Sequence, residues 1–340
     1  MIKKQVSKKI QCSFYAASCL ILALLSVNGE VSAQDTFEEQ VSSVQAEKDY
    51  SFSEAAIESI TGDVYSDPSK WQALSYDNLF SKGWNKPWAS PPIGSGGAPR
   101  QGWLNAYDGV FYRLGIAIFG WQHGVSGSDN YVGDLVNYTP LNQRFEVQTD
   151  ISLVSGSSIG GQTNFGDFKI TPRFILSESK DVTQSFNITF RTPTGNSING
   201  NNVAAVTPQY QFWANAWKGL VVRGGVGFTV PYSSGGSYSI GPFKNITRSV
   251  PSATFDANLA IGYYFTPHDF TPIGDMVWYL STNLSQAIDN RVRGSGTFVS
   301  LTPGFRTHLG QNWYLLGAVE VPVTHSGDNY QVQGGIMKVF

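Results

Sequence analysis

From Leu220 to Tyr232 the even positions are Leu220, Val222, Gly224, Val226, Phe228, Val230 and Tyr232, while the odd ones include Arg223, Gly225, Gly227 and Thr229. Successive side chains of a strand point to opposite faces, so this segment offers one face to an apolar phase and the other to water. The same period recurs three times. Phe168, Ile170, Phe174 and Leu176 alternate with Asp167, Lys169, Thr171 and Arg173; Phe186, Ile188 and Phe190 alternate with Ser185, Asn187, Thr189 and Arg191. Phe255, Ala257, Leu259, Ile261, Tyr263 and Phe265 alternate with Thr254, Asp256, Asn258 and Gly262.

Weaker segments of the same kind run near 109–121, 145–154, 201–214, 275–286, 297–309, 312–324 and 328–340, separated by Gly, Ser, Asn and Asp. Segments of about ten residues with alternating polarity are the signature of an outer-membrane barrel. These segments make eleven, and single-chain bacterial barrels have even strand numbers. A twelfth strand is therefore expected between Asn130 and Thr139, around Tyr131, Val132, Leu135, Val136 and Tyr138. The predicted fold is all-β: a transmembrane antiparallel up-and-down β-barrel of about 12 strands with a short N-terminal periplasmic extension.

A soluble β-sandwich alternates too. Two features favour the membrane. Trp213, Trp217, Trp278 and Trp313, with Tyr232 and Phe265, fall where an aromatic girdle is expected. The chain ends in Phe340, preceded on the same parity by Ile336, Val332 and Tyr330, which resembles the terminal strand recognised by barrel-assembly machinery. Lys338 interrupts that strand and has to snorkel toward the interface.

Residues 1–33 read as a signal peptide, with Lys3, Lys4, Lys8 and Lys9 at its start, an apolar run from Phe14 to Leu25, and Val31-Ser32-Ala33 as the cleavage site. That run is the sole long apolar stretch, so strands have to do any membrane crossing. Both cysteines, Cys12 and Cys19, leave with this segment, and a closed ladder needs no disulfide. Removing the four lysines and Glu30 from totals of 23 basic and 25 acidic residues leaves 19 and 24, a net charge of −5. Nucleic acid is not expected as a partner.

The whole imbalance lies between Gln34 and Gly102, where ten acidic residues face five basic ones. Ser51-Phe52-Ser53-Glu54 has the pattern of a capping box opening a helix through Ile60, ended by Gly62. Trp84 to Gly97 reads as a linker rich in Pro, Gly and Ser. Residues 34–106 are expected to form an acidic periplasmic extension with its linker, the alternative being a plug, and residues 107–340 the barrel.

If the apolar faces meet lipid, the lumen receives Arg113, Glu146, Asp150, Asp167, Lys169, Arg173, Arg191, Arg223, Asp256, Arg306, His308 and Glu320. This mixture of signs either pairs internally or sets up a transverse field that selects solutes at a constriction. A lipid-modifying enzyme needs a Ser–His couple, but adjacent His325 and Ser326 point to opposite faces of a strand and cannot join. The four histidines, including His123 and His268 in expected turns, are scattered, so no metal site, cofactor or catalytic residue is expected.

The motifs Gly166-Asp167-Phe168-Lys169-Ile170-Thr171-Pro172-Arg173, Phe190-Arg191-Thr192-Pro193-Thr194-Gly195 and Arg223-Gly224-Gly225-Val226-Gly227-Phe228 resemble the outer-membrane transporters of the meta-pathway phenol-degradation family. The resemblance covers roughly residues 145–340. It implies a barrel channel for small hydrophobic or aromatic compounds and supplies no catalytic residues. The expected function is passive passage or uptake of small molecules across the cell outer membrane, with that membrane's lipid, the assembly machinery and the solute as partners. A structural envelope barrel with a filled lumen is the alternative.

Overall fold

The computed structural model describes residues 50–100, 102–125, 128–156, 164–195, 203–233, 237–239, 245–247, 252–289, 297–324 and 329–340. The signal peptide, residues 34–49 and the pair His325-Ser326 lie outside them. Twelve antiparallel strands close into a barrel: β1 (Leu114–Val125), β2 (Ser128–Pro140), β3 (Phe145–Gly156), β4 (Asn164–Glu178), β5 (Val182–Arg191), β6 (Ala205–Trp217), β7 (Leu220–Pro231), β10 (Thr254–Tyr264), β11 (Gly274–Ala287), β12 (Thr297–Gly310), β13 (Trp313–Pro322) and β14 (Tyr330–Val339). Between β7 and β10, β8 (Ser237–Ser239) and β9 (Asn245–Thr247) form a separate two-stranded ribbon. Each wall strand pairs with its neighbour, and β14 returns to β1 with Leu114 opposite Val339 and His123 opposite Tyr330. Among the described residues the barrel wall leaves no edge unpaired, the condition a sheet must meet in hydrocarbon.

β2 is the strand expected between Asn130 and Thr139. β1 begins at Leu114, later than the polarity pattern suggests, because residues 107–112 lie inside the wall and do not contribute to it.

The alternation sorts as expected. On β11 Leu280 is 48% exposed and its neighbour Ser281 is fully buried. Phe119, Leu135, Ile170, Phe190, Phe228, Ile261, Leu315 and Ile336 likewise stand outward from eight other strands and form a lipid-facing apolar wall. The barrel thus spans the outer membrane.

Short turns connect β2 to β3, β4 to β5, β6 to β7 and β12 to β13, and both β1 and β14 have their termini at that same end. Short turns mark the periplasmic side of such barrels. Pro231 of β7 and Thr254 of β10 mark the opposite, extracellular end. At the periplasmic rim Trp217, Trp313 and Phe265 are exposed, Trp278 stands farther up the wall, and Tyr232 lies at the other end. Lys338 faces outward, and its Nζ reaches down to the carbonyl of Gln311 at 2.6 Å and lies 5.3 Å from the Trp313 ring.

Trp213 departs from the girdle expectation. It is fully buried and faces inward, stacked under the Arg100 guanidinium at 4.8 Å. It shares its parity with Gln209 and Gln211, the water-facing side of β6.

Residues 50–97 are packed at the periplasmic mouth. The helix α1 (Phe52–Thr61) has the expected capping box, with the Ser51 side chain and the Glu54 backbone and carboxylate bonded reciprocally. Leu74 bridges to Glu178 through two backbone hydrogen bonds of 2.8 Å. The stretch read as a linker is anchored, because its apolar residues find a pocket: Trp88 is buried with Leu74, Phe111 and Ile175 and stacks parallel to Tyr65. Arg144 fastens the mouth by donating to the carbonyls of Lys82, Ile175, Leu176, Ser75 and Asn78.

Candidate functional site

The lumen holds a stretch of the chain itself. From Ala98, beside the periplasmic ends of β6 and β10, the backbone rises into the barrel, turns at Leu104-Asn105 and descends to Leu114. Asn105 adopts φ 52°, a left-handed geometry that Asn tolerates better than most residues. Trp103, Leu104, Val110 and Tyr112 are buried against Val221, Ala260, Val277, Leu316 and Met337 from the inner wall.

Inward side chains satisfy the backbone of this hairpin at its turn. The Leu104 N–H donates to the Tyr279 hydroxyl at 3.0 Å and that of Tyr107 to Asn258 Oδ1 at 2.9 Å. The Asn105 carbonyl accepts from Ser281 Oγ at 2.6 Å, and its side-chain amide donates to Glu320 Oε2 at 3.0 Å. The Trp103 indole stacks on the Tyr279 ring with centroids 4.8 Å apart, in a slot that exists because residue 262 lacks a side chain. A Cβ at Gly262 would lie 2.5 Å from Trp103 Cη2, and one at Gly109 would lie 2.7 Å from the Phe212 Cα of the wall. Gly262→Ala is therefore expected to push Trp103 off Tyr279 and lower the free energy of unfolding by about 1–3 kcal/mol, measured by denaturant unfolding in detergent.

A buried charge cluster pins the descending limb. Arg173 on β4 is bonded to Glu146 on β3, and its Nη2 donates to Asp108 Oδ1 at 2.6 Å and to the Val110 carbonyl at 3.0 Å. Arg223 on β7 donates from Nε to the Tyr107 carbonyl at 2.9 Å and approaches Asp108 Oδ2 at 3.4 Å. The Tyr112 N–H donates to Glu146 Oε1 at 2.6 Å, and its hydroxyl donates to the Arg100 carbonyl. Arg100 in turn donates to Glu178 Oε1 at 3.1 Å and Thr183 Oγ1 at 2.9 Å. Buried charges are tolerated when paired and hydrogen-bonded in this way.

Beside the descending limb, a cavity of ≈ 370 Å³ opens between residues 106–108 and strands β2 to β7 and β10, reaching Arg191, Ala205, Thr229 and Asp256 toward the extracellular end. Ala106, Tyr107 and Asp108 form its floor. Its walls are polar: Gln148, Asn187, Gln209 and Gln211 with Thr171, Thr189, Thr207 and Thr229. Lys169, Arg191, Asp150 and Asp256 add charge of both signs. Lys169 Nζ lies 2.9 Å from Asp150 Oδ2, Arg191 Nε lies 3.9 Å from Asp167 Oδ2, and Asp256 accepts from Thr229 and Ser285 at 2.7 and 2.6 Å. Neighbouring strands thus pair Lys169 with Asp150 and Arg191 with Asp167, while hydroxyls hold Asp256.

Of the twelve expected luminal residues, Arg113 stands apart. It precedes β1 at the periplasmic rim, packs over the Tyr65 ring at 3.8 Å and donates to the Ser59 and Gly62 carbonyls. Glu320 contacts the hairpin tip, whereas Arg306 and His308 sit at the periplasmic end of β12. There His308 meets His268 and Asp275, a grouping that sequence spacing gives no reason to expect.

No family model matches the sequence, and no curated relative matches it. Among solved structures, an outer membrane channel from Pseudomonas putida F1 superposes with a TM-score of 0.51 at 13% identity, covering 71% of this chain and 100% of that one. KdgM porin covers 67% of this chain and 99% of its own at a TM-score of 0.45 and 10% identity. The CymD monoaromatic hydrocarbon channel covers 68% and 89% at a TM-score of 0.40 and 8% identity. At these identities the likeness is one of fold, and the first of the three carries it.

Proposed function

We propose that this barrel is an outer-membrane channel for small, hydrogen-bonding solutes, held shut by residues 98–112 and opened by their displacement. The observation that supports it most is the polar cavity of ≈ 370 Å³ floored by Ala106–Asp108. That size suits a small ligand, and a solute arriving from outside would be held by amides, hydroxyls and paired charges beside the obstruction. A barrel built only for mechanical strength has no need of a wet chamber beside a separate stopper.

The resemblance of residues 145–340 to meta-pathway phenol-degradation transporters extends the solute class to aromatic compounds. Hydroxylated aromatics match the lining best, since their ring would replace loosely held water and their hydroxyls would meet Thr and Gln side chains. Phe340, with the outward Val332 and Ile336, supplies the signal for the assembly machinery in this reading.

Planar-bilayer recording tests the channel. The intact chain is expected to give rare, brief openings, and a chain lacking residues 50–112 stable single-channel steps. Silence from both in the presence of folded barrel would leave the filled structural barrel as the correct reading.

A further inference from the structure

We infer that His268, Asp275 and His308 form a binding site for a divalent transition-metal ion of the zinc type at the periplasmic rim. One donor atom from each residue lies within 4.8 Å of the other two. His268 comes from the β10–β11 connection, Asp275 from the start of β11 and His308 from β12, so three separate chain positions converge. His268 Nδ1 is 2.7 Å from Asp275 Oδ2, and the two imidazoles stack with centroids 4.2 Å apart.

The second, independent observation is His308 itself. Its residue is 5% exposed, and its Nε2 has no hydrogen-bond partner. An imidazole nitrogen buried without a partner is costly, and a metal ion would satisfy it. Two imidazoles and one carboxylate are the ligand types of three-residue zinc sites, in which water completes a tetrahedron. Ligands of such an ion lie about 3.3 Å from one another. His268 Nδ1 and Asp275 Oδ2 stand 2.7 Å apart and all three donor atoms lie within 4.8 Å of one another, and the half-exposed His268 on its connecting loop takes up the adjustment.

The surroundings fit a coordinated carboxylate. Tyr314 donates to Asp275 Oδ2 at 3.2 Å and Tyr264 to Oδ1 at 3.4 Å, the outer partners that orient a metal-binding carboxylate. The nearby Arg306 guanidinium is directed to the Asp275 carbonyl through Nη2 at 3.3 Å. A bound ion would tie the 265–273 connection to β12, and the inference stands whether or not the barrel conducts.

The test is zinc binding by the whole detergent-solubilised barrel after chelator treatment, followed by competition with a chromophoric chelator. One zinc per chain is expected, with no comparable uptake of magnesium, and cobalt is expected to give the visible absorption of a four-coordinate nitrogen-oxygen site. His268→Ala should abolish binding, Tyr314→Phe should weaken it by roughly tenfold or more, and His123→Ala should leave it intact. Zinc uptake by the intact chain no greater than that of His268→Ala would overturn the assignment. Because His268 is a half-exposed loop residue, that variant decides the matter even if His308→Gln fails to fold.

Discussion

Replacing Arg173 by alanine is expected to release the luminal hairpin while leaving the barrel wall intact. Arg173 is fully enclosed and joins Glu146 in the wall to Asp108 and the Val110 carbonyl in the hairpin. Its removal takes from Glu146 its arginine partner and leaves Asp108 with Arg223 at 3.4 Å, a loss of about 3–5 kcal/mol. None of the ladder hydrogen bonds passes through the guanidinium, so that loss falls on the hairpin alone, as local opening. Hydrogen exchange at the amides of residues 103–112 should quicken by roughly 100-fold or more, since each ~1.4 kcal/mol is a factor of ten. Lys169→Ala, which removes a part-exposed ion pair with Asp150, should change these rates little. Unaltered protection in Arg173→Ala would show that the charge cluster is not what anchors the hairpin.

Trp103→Ala is expected to cost about 3–5 kcal/mol, the range for emptying a buried aromatic position. Its indole is 6% exposed, stacks on Tyr279 and lies 4.9 Å beneath the Arg223 guanidinium, so the truncation removes packing on both faces. Urea unfolding followed by tryptophan fluorescence in detergent measures the change. Trp278→Ala on the lipid face serves as the contrast, with a small effect expected because detergent covers the vacated area. Equal losses for the two would mean that the hairpin contributes nothing beyond an ordinary surface aromatic.

The wall was legible because burial outside and wetting inside impose a period of two over whole strands. Even β2, with Gly133 and Asn137 on its outer face diluting the pattern, followed from the need for an even strand number. Trp213 shows how residue type misleads where parity does not: tryptophan suggests the interface, yet its neighbours Gln211 and Gln209, two and four positions back, already placed it inside. The hairpin was harder to read. Trp103, Leu104, Val110, Phe111 and Tyr112 signal burial without alternation, but the cavity that buries them is made by strands far along the chain. The partnerships Glu146–Arg173 and His268–His308 depend on strand register and on the irregularity between Gly274 and Val277. No spacing within one segment encodes either.

Both limbs of the hairpin begin and end at the same rim, Ala98 beside β6 and β10 and Leu114 at the foot of β1. It is a cork on a tether and not a thread through a ring. In the proposed function it would be drawn out toward the periplasm and reseated without parting the β1–β14 seam. Repeated cycles would therefore strain only the contacts between cork and neck, and one fold can serve as both the shut and the open vessel.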